Sequence, residues 1–400
     1  MSPITTNQLS TKGPPVIYPL IGVYGNLFLC NASLMIILII LPLRMLDLGF
    51  SEVDIGIVVG VPMTLQFIAR PIGGGLSDRF GGRSVLIASS IGVTIVILII
   101  MFSTSFWVYF FAQVLRSLAT GLFRPSTKSY ASFIDPLNST SILGRHTSVT
   151  AASDILGVVA GGYLVLYAGF DIAFGTSAVF AFSAVIFSVL MPVLGLEERQ
   201  NGNFGAIMRN FLRLLLTNRP LFLGFLCAFV VAIPFALIGS FYPVYFKKLG
   251  FDEGTIGILG SVITGSILVS GLMFGRLFSM LGPKWIFAGG VLGLGMAFSL
   301  IQMVNSPFSL FALMILTGSA TGVLDVFRNI ISSDHSSVHE RGSALAATGL
   351  GFVASTVIIP VAFGIAVQRF SYETTFFLLG LLLIVLGLLT KPLFSWARYR

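Results

Sequence analysis

Residues 48–57 read LGFSEVDIGI, and residues 249–258 read LGFDEGTIGI, nearly the same phrase 201 residues later. The offset continues without a gap. Gly74, Leu76 and Gly81 align with Gly275, Leu277 and Gly282, and the ATG at Ala119 aligns with the ATG at Ala320. One offset held over about 70 residues marks an internal duplication, with each copy one structural unit. Residues 48–135 and 249–336 are therefore expected to superpose.

Composition says what kind of unit is duplicated. Only 10% of the 400 residues are charged and 56% are hydrophobic, with 37 Phe. An ordinary globular domain carries about 25% charged residues. Apolar stretches long enough to cross ~30 Å of hydrocarbon recur along the chain, and strict strand alternation is absent, which argues against a β-barrel. The chain reads as an all-α polytopic membrane protein. The first apolar run has no small-residue cleavage site after it, so it reads as a membrane helix and not a removed signal peptide. Cys30 and Cys227 fall inside apolar runs, as buried small hydrophobes would.

Polar and Gly/Pro clusters divide the chain into twelve spans, beginning near Ile17, Val53, Ser84, Phe106, Arg145, Ile172, Leu221, Thr255, Trp285, Phe308, Gly342 and Thr374. With the duplication, this gives two six-helix halves in parallel orientation: residues 1–194, a basic connector 195–220 along a membrane face, and residues 221–400. Thirteen Lys and Arg lie in the tails and even-numbered loops, against four (Arg44, Lys247, Lys248, Arg369) in odd-numbered loops. That bias places both termini in the cytoplasm of a multi-pass protein of an inner or plasma membrane. It also accounts for the net charge of +8 without nucleic-acid binding.

Between spans two and three stands GGLSDRFGGRS, residues 74–84, with three charges and four glycines in eleven positions. Gly74 allows helices to approach closely, and Gly81-Gly82 allows a tight reversal. Asp78 faces the negative pole of its own helix, so something else must compensate it. Arg79 and Arg83 can do so, as can another helix's N-terminus. As Gly74-x-x-x-Asp78-Arg79-x-Gly81-x-Arg83, the stretch resembles the loop signature of the major facilitator superfamily. With the span count, topology and half-repeat, the resemblance covers essentially the whole chain. Gly82 stands where that signature is usually basic, and Ser279 and Met280 replace the charged pair in the second copy. The resemblance implies a transporter working by alternating access. It also implies that Asp78 contacts the start of span eleven, at Gly342-Ser343, as a breakable latch. The plainer alternative is a solvated loop that only sets topology.

Polar residues at membrane depth usually face a cavity or a partner. Arg116, Thr120, Arg124 and Lys128 recur every fourth residue of span four, after Gln113, and form one polar stripe. In the family's fold, spans one, four, seven and ten line the central cavity, so the stripe is expected on the substrate path. Arg116 and Asp154 both fall near the midplane of their spans, and the sequence allows an Arg116–Asp154 pair, whether coupling or structural. Asp325 and Arg328, one turn apart in span ten, are similar to an acid–arginine placement in drug-efflux members. Asn26 and Asn31 in span one, and Pro234, Tyr242 and Tyr245 in span seven, are expected cavity contacts or interhelical hydrogen-bond formers. Gly157-x-x-x-Gly161-Gly162 in span five fits helix packing. His335 and His339 have no third ligand nearby, so no metal or other cofactor is expected, and His146 reads as a loop-edge residue. No phosphate-cradling sequence suggests ATP use.

These readings converge on a non-enzymatic secondary transporter, closest in pattern to the drug and metabolite efflux members. The expected activity is proton-coupled export of a small amphipathic compound, by a monomer whose partners are substrate, protons and the bilayer. The excess of Arg116, Arg124 and Lys128 over Asp154 favours an alternative: a symporter or exchanger for a small organic anion. A membrane enzyme or receptor on a transporter scaffold would need an acid/base or nucleophile cluster that the sequence does not show.

Overall fold

In hydrocarbon every backbone N–H and C=O must find a partner within the protein, so apolar spans become helices. The computed structural model describes residues 17–135, 138–193, 213, 215–304, 306–335 and 341–397; of these, the side chains of Ile17, Phe67, Pro71, Gly74, Gly75, Asp78 and residues 341–343 lie outside the description. Among the described residues, helices alone form the regular structure.

Span one is Ile17–Asp47, span three Gly82–Met101, span four Phe106–Ile134, span ten Pro307–Asp334 and span eleven Arg341–Arg369. Three spans are broken. Span two is Glu52–Gly60 plus Met63–Phe80, span seven Arg219–Ile238 plus Phe241–Lys248, and span twelve Tyr372–Leu388 plus Thr390–Ala397. Two continuous stretches, Ser139–Leu190 and Glu253–Leu300, run 52 and 48 residues. At 1.5 Å per residue each is more than ~70 Å long, over twice the hydrocarbon thickness. Each contains one non-helical residue, Gly169 (φ 81°) and Gly282 (φ 75°), where the chain reverses from span five to six and from eight to nine. Among the described residues nine helices are long and apolar enough to cross a membrane, ten with the bent pair of span twelve. Counting the two long stretches as two spans each gives the expected twelve.

The turns follow the duplication. Gly49 and Gly250 take φ of 80° and 89°, and Gly81 and Gly282 take 82° and 75°, each pair 201 positions apart. The caps match too. Ser51 accepts from the backbone N–H of Asp54, and Asp252 accepts from that of Thr255 at 2.8 Å. The Thr255 bonds hold the Asp252 carboxyl below the usual carboxylate range. A φ near +80° needs glycine, so these four positions fix where the helices of each copy end. Within the first half, span one packs on spans five and six, and span four on two and three. Within the second, the eight–nine stretch packs on ten and twelve, and seven packs on ten and eleven.

The halves meet through span five against span eight and span two against span eleven. Both contacts are backbone-close, and both use the repeated phrase. A Cβ on Gly257 would lie 2.9 Å from the Val158 carbonyl oxygen and 3.2 Å from Gly162 Cα. Its repeat mate Gly56 is pressed against the Pro360 carbonyl, and a Cβ on Gly60 would lie 2.9 Å from that of Val357. Hydrogen bonds join the halves nearby: Ser261 Oγ to the Ile155 carbonyl (3.0 Å), Lys248 Nζ to Glu52 (2.5 Å) and Tyr372 Oη to Glu52 (3.4 Å). Lys248 also lies 4.8 Å over the Tyr372 ring. All of these contacts lie between mid-depth and the end formed by the odd-numbered loops, so that end is closed. The Lys248–Glu52 pair is partly exposed, with side chains 42% and 21% accessible, and such a pair contributes at most ~1 kcal/mol. Close glycine packing is therefore the larger part of the closure.

Gly162→Val should hold this end apart. In protein carrying Ile39→Cys, just beneath the closure, the substitution is expected to raise labelling by a membrane-impermeant maleimide from the odd-loop side. Labelling unchanged from the Ile39→Cys parent would show that the glycine contact does not control this end.

Candidate functional site

A polar cluster stands at mid-depth, on spans one, four and five. Asn31 is 1% exposed and spends its whole side chain there. Its Nδ2 donates to Ser153 Oγ (2.8 Å) and to Asp154 Oδ1 (2.7 Å), and its Oδ1 accepts from Arg124 (3.3 Å). The sequence can place these three residues together because each sits near the middle of its helix, on the inward stripe. Gly157, where a Cβ would meet the Ala32 carbonyl at 2.7 Å, brings span five close enough for a short amide to bridge.

The expected Arg116–Asp154 pair is corrected. Arg116 is buried (7% exposed), and its Nε donates to Gln113 Oε1 (2.5 Å), one turn earlier on its own helix. Asp154 instead takes Asn31 as its donor, and Arg124 is the arginine next to it in the chain of bonds. Eight residues, about 12 Å of rise, separate the two arginines, so the register of span four decides which one serves the acid. Thr120 turns its hydroxyl back to the Arg116 carbonyl (2.7 Å). In span ten the Arg328–Asp325 pair forms as the sequence suggests, at 2.7 Å, with Arg328 also 5.5 Å over the Phe352 ring.

Asn26, expected on the substrate path, is instead packed between spans one, three and six. It is 0% exposed, and its Nδ2 donates to Ser90 Oγ (3.2 Å), the Ala184 carbonyl (2.9 Å) and Ser188 Oγ (2.8 Å). His146, expected at a loop edge, is buried against Thr127 Oγ1 (3.1 Å). Tyr242 stacks on Phe246 and Phe376 and borders a small apolar cavity of about 10 Å³ with Ile39, Ile238, Gly260 and Ile263. That cavity lies under the closed end, eight residues (about 12 Å) along span one from Asn31. In the loop signature, Gly81 makes its positive-φ turn. Arg79 lies over Phe80, and Arg83 donates to the Val189 carbonyl (2.6 Å) of its own half. The Gly74 and Asp78 side chains, and the proposed contact at Gly342-Ser343, lie outside the described residues, as do His339 and most of the connector.

The geometry supplies one semi-enclosed carboxylate with an adjustable neighbour, beside an arginine, in the middle of a twelve-span bundle closed at one end. Two copies of a six-helix unit packed against each other, with a polar cluster at mid-depth in the first, define a transporter of the major facilitator class. The comparisons agree. The Major Facilitator Superfamily family model matches residues 23–248 and 224–399, so the chain belongs to that superfamily. Among curated proteins it is similar to multidrug resistance protein MdtG of Escherichia fergusonii, 26% identical over 76% of this chain and 77% of that one. It is also similar to multidrug resistance protein 2 of Bacillus subtilis, 24% identical over 65% of this chain and 66% of that one. Among solved structures its fold resembles the nucleoside transporter NupG (TM-score 0.76, 16% identity, 94% and 98% covered). A bacterial homologue of the human lysosomal transporter Spinster, solved facing inward, has a TM-score of 0.78 at 14% identity, with 97% and 98% covered.

Two functional features were not singled out from sequence: Arg70, and the Glu52–Lys248–Tyr372 contact between halves. Depth could have found the first, because Arg70 lies ten residues from the end of its helix. Shared repeat position could have found the second, because Glu52 is the mate of Glu253, which pairs with Lys247 (2.6 Å).

Asn26 and Arg124 should separate structure from function. Asn26→Leu removes three buried hydrogen bonds between spans, and should cost about 1–3 kcal/mol of stability with transport per folded molecule retained. Arg124→Gln, at a half-buried position, should abolish transport with a small change in thermal midpoint. The reverse pattern would move the site to Asn26.

Proposed function

We propose that this superfamily member is a secondary active transporter that exports a small amphipathic compound in exchange for protons, by alternating access of its two halves. The observation that carries the reading is Asp154 at mid-depth, bonded to an amide that is bonded in turn to Arg124. Coupling needs an acid whose proton affinity changes between states. Burial favours the neutral carboxyl, and a neighbouring guanidinium favours the carboxylate. Rocking of the halves that makes or breaks the Asn31 bridge would switch Asp154, and the same logic applies to the Asp325–Arg328 pair. A negative-inside potential supplies about 2.3 kcal/mol per proton per 100 mV, enough to drive accumulation. The names of the similar multidrug resistance proteins support export.

In this reading both termini are cytoplasmic, the halves divide at the connector 195–220, and the chain works as a monomer in the cell membrane. The closed odd-loop end is then extracellular, and the conformation opens toward the cytoplasm. The Asp78–Arg79–Arg83 turn would latch the cytoplasmic end in the opposite state. The protein carries out transport and no covalent chemistry.

Proteoliposomes with an imposed pH gradient test the coupling. Asp154→Asn is expected to abolish gradient-driven accumulation while substrate exchange continues, and Asp325→Asn tests the second-half acid in the same way. If both variants concentrate substrate as the parent does, neither acid carries the proton.

A further inference from the structure

The charges gathered on the even-loop side of the site do not balance. Arg70 and Arg124 each lie ten residues before the end of their helices, and Lys128 and Arg328 each lie six before. At 1.5 Å per residue these are two tiers, about 15 Å and 9 Å in from the even-loop end. Arg70 is within electrostatic reach of Arg124 and of Arg328, Lys128 of Arg124 and Arg70, and His146 of Lys128 and Arg124. Spans two, four and ten can bring these groups together only if they point inward, between the halves.

Their partners are few. Arg328 pairs with Asp325, and among the described residues Arg124 has the long bond to Asn31 as its one side-chain hydrogen bond. Among the described residues Arg70 and Lys128 make no hydrogen bond or ion pair, and both are exposed at membrane depth. Among the described residues the carboxylate that stands against Arg70, Arg124 and Lys128 is that of Asp154. Unpaired cations in this setting are costly, and a cleft of one sign concentrates counter-ions. Closing the even-loop end would bring Arg70 and Arg328 together from opposite halves and raise that cost.

We propose that the substrate is an organic anion whose charged group sits among Arg70, Arg124 and Lys128, with Arg328 approaching from the other half as the cytoplasmic end closes. This rests on the transporter reading and gives it a substrate class. The apolar side chains of Ile39, Ile238 and Tyr242, toward the closed end, would meet a hydrophobic body on the same molecule as the halves part there. A bound anion cancels the repulsion between the halves, so substrate itself permits the closing movement. A cation would meet the same charges as a barrier.

Binding tests this independently of driven transport. The full-length protein, in nanodiscs of phosphatidylcholine, is titrated with benzoate, phenylphosphonate, inorganic phosphate and benzylammonium, with the thermal midpoint as readout. At least one aromatic anion is expected to stabilise it saturably, more strongly than phosphate, while benzylammonium does not. Arg70→Gln and Lys128→Gln should each weaken the anion by about tenfold or more, whereas Arg369→Gln at the opposite end should not. Benzylammonium binding as tightly as the anions, or no anion binding, overturns the proposal. So does stabilisation that arises only on replacing the lipid with phosphatidylglycerol, which would make the cluster a headgroup site. Radiolabelled counterflow in liposomes separates the two readings. Anion binding without counterflow would remove the transporter, and benzylammonium counterflow would remove the anion.

Discussion

Lipid gives two helices no hydrophobic reason to associate, because acyl chains are as apolar as leucine. What remains is close packing, and in this protein the halves achieve it where glycines let backbones touch. Gly257 against Gly162, and its repeat mate Gly56 against Pro360, place the same position of a duplicated phrase at both contacts. The site, the closed end and the water-accessible cations all depend on that pair of contacts, because they set which end of the bundle is sealed. A contact of this kind is held mainly by dispersion, with the Ser261–Ile155 hydrogen bond beside it, so it can be released. The half-exposed Lys248–Glu52 pair adds a modest orienting contribution and not a lock.

Charge in the cavity is set by helix register. Span four carries Arg116, Arg124 and Lys128 on one stripe, and Arg124 is at the depth where Asn31 connects it to Asp154. Arg116, two turns earlier, gives its Nε to Gln113 on its own helix. The second half pairs its acid and base on one helix, Asp325 to Arg328. The duplicated fold thus carries an asymmetric site: a bridged, adjustable acid beside unpaired cations on one side, and a self-neutralised pair on the other.

Much of this was legible in the sequence, and the reasons are physical. Span count, duplication and turns were readable because hydrocarbon thickness and positive φ act on single residues and short windows. The turn at Gly81 needed no tertiary information, and the repeat carries it to Gly282. The Asp325–Arg328 pair was readable because one turn of helix fixes it. Asn26 and the partner of Asp154 were not, since an asparagine at depth looks the same whether it faces a cavity or ties helices together. Rotation about a helix axis decides that, and packing of neighbouring spans sets the rotation. Arg70 escaped because its meaning comes from cations on two other spans.

The central claim is that one set of glycine contacts seals one end at a time. Two inter-half distances, measured on the same membrane-reconstituted protein by pulsed electron resonance, test it directly. One pair of spin labels, at Thr104 and Met303, spans the odd-loop end, and the other, at Phe80 and Met280, spans the even-loop end. Across changes of pH and added anion, the account predicts that lengthening of one distance accompanies shortening of the other. Distances that vary independently, or that lengthen together, would contradict it.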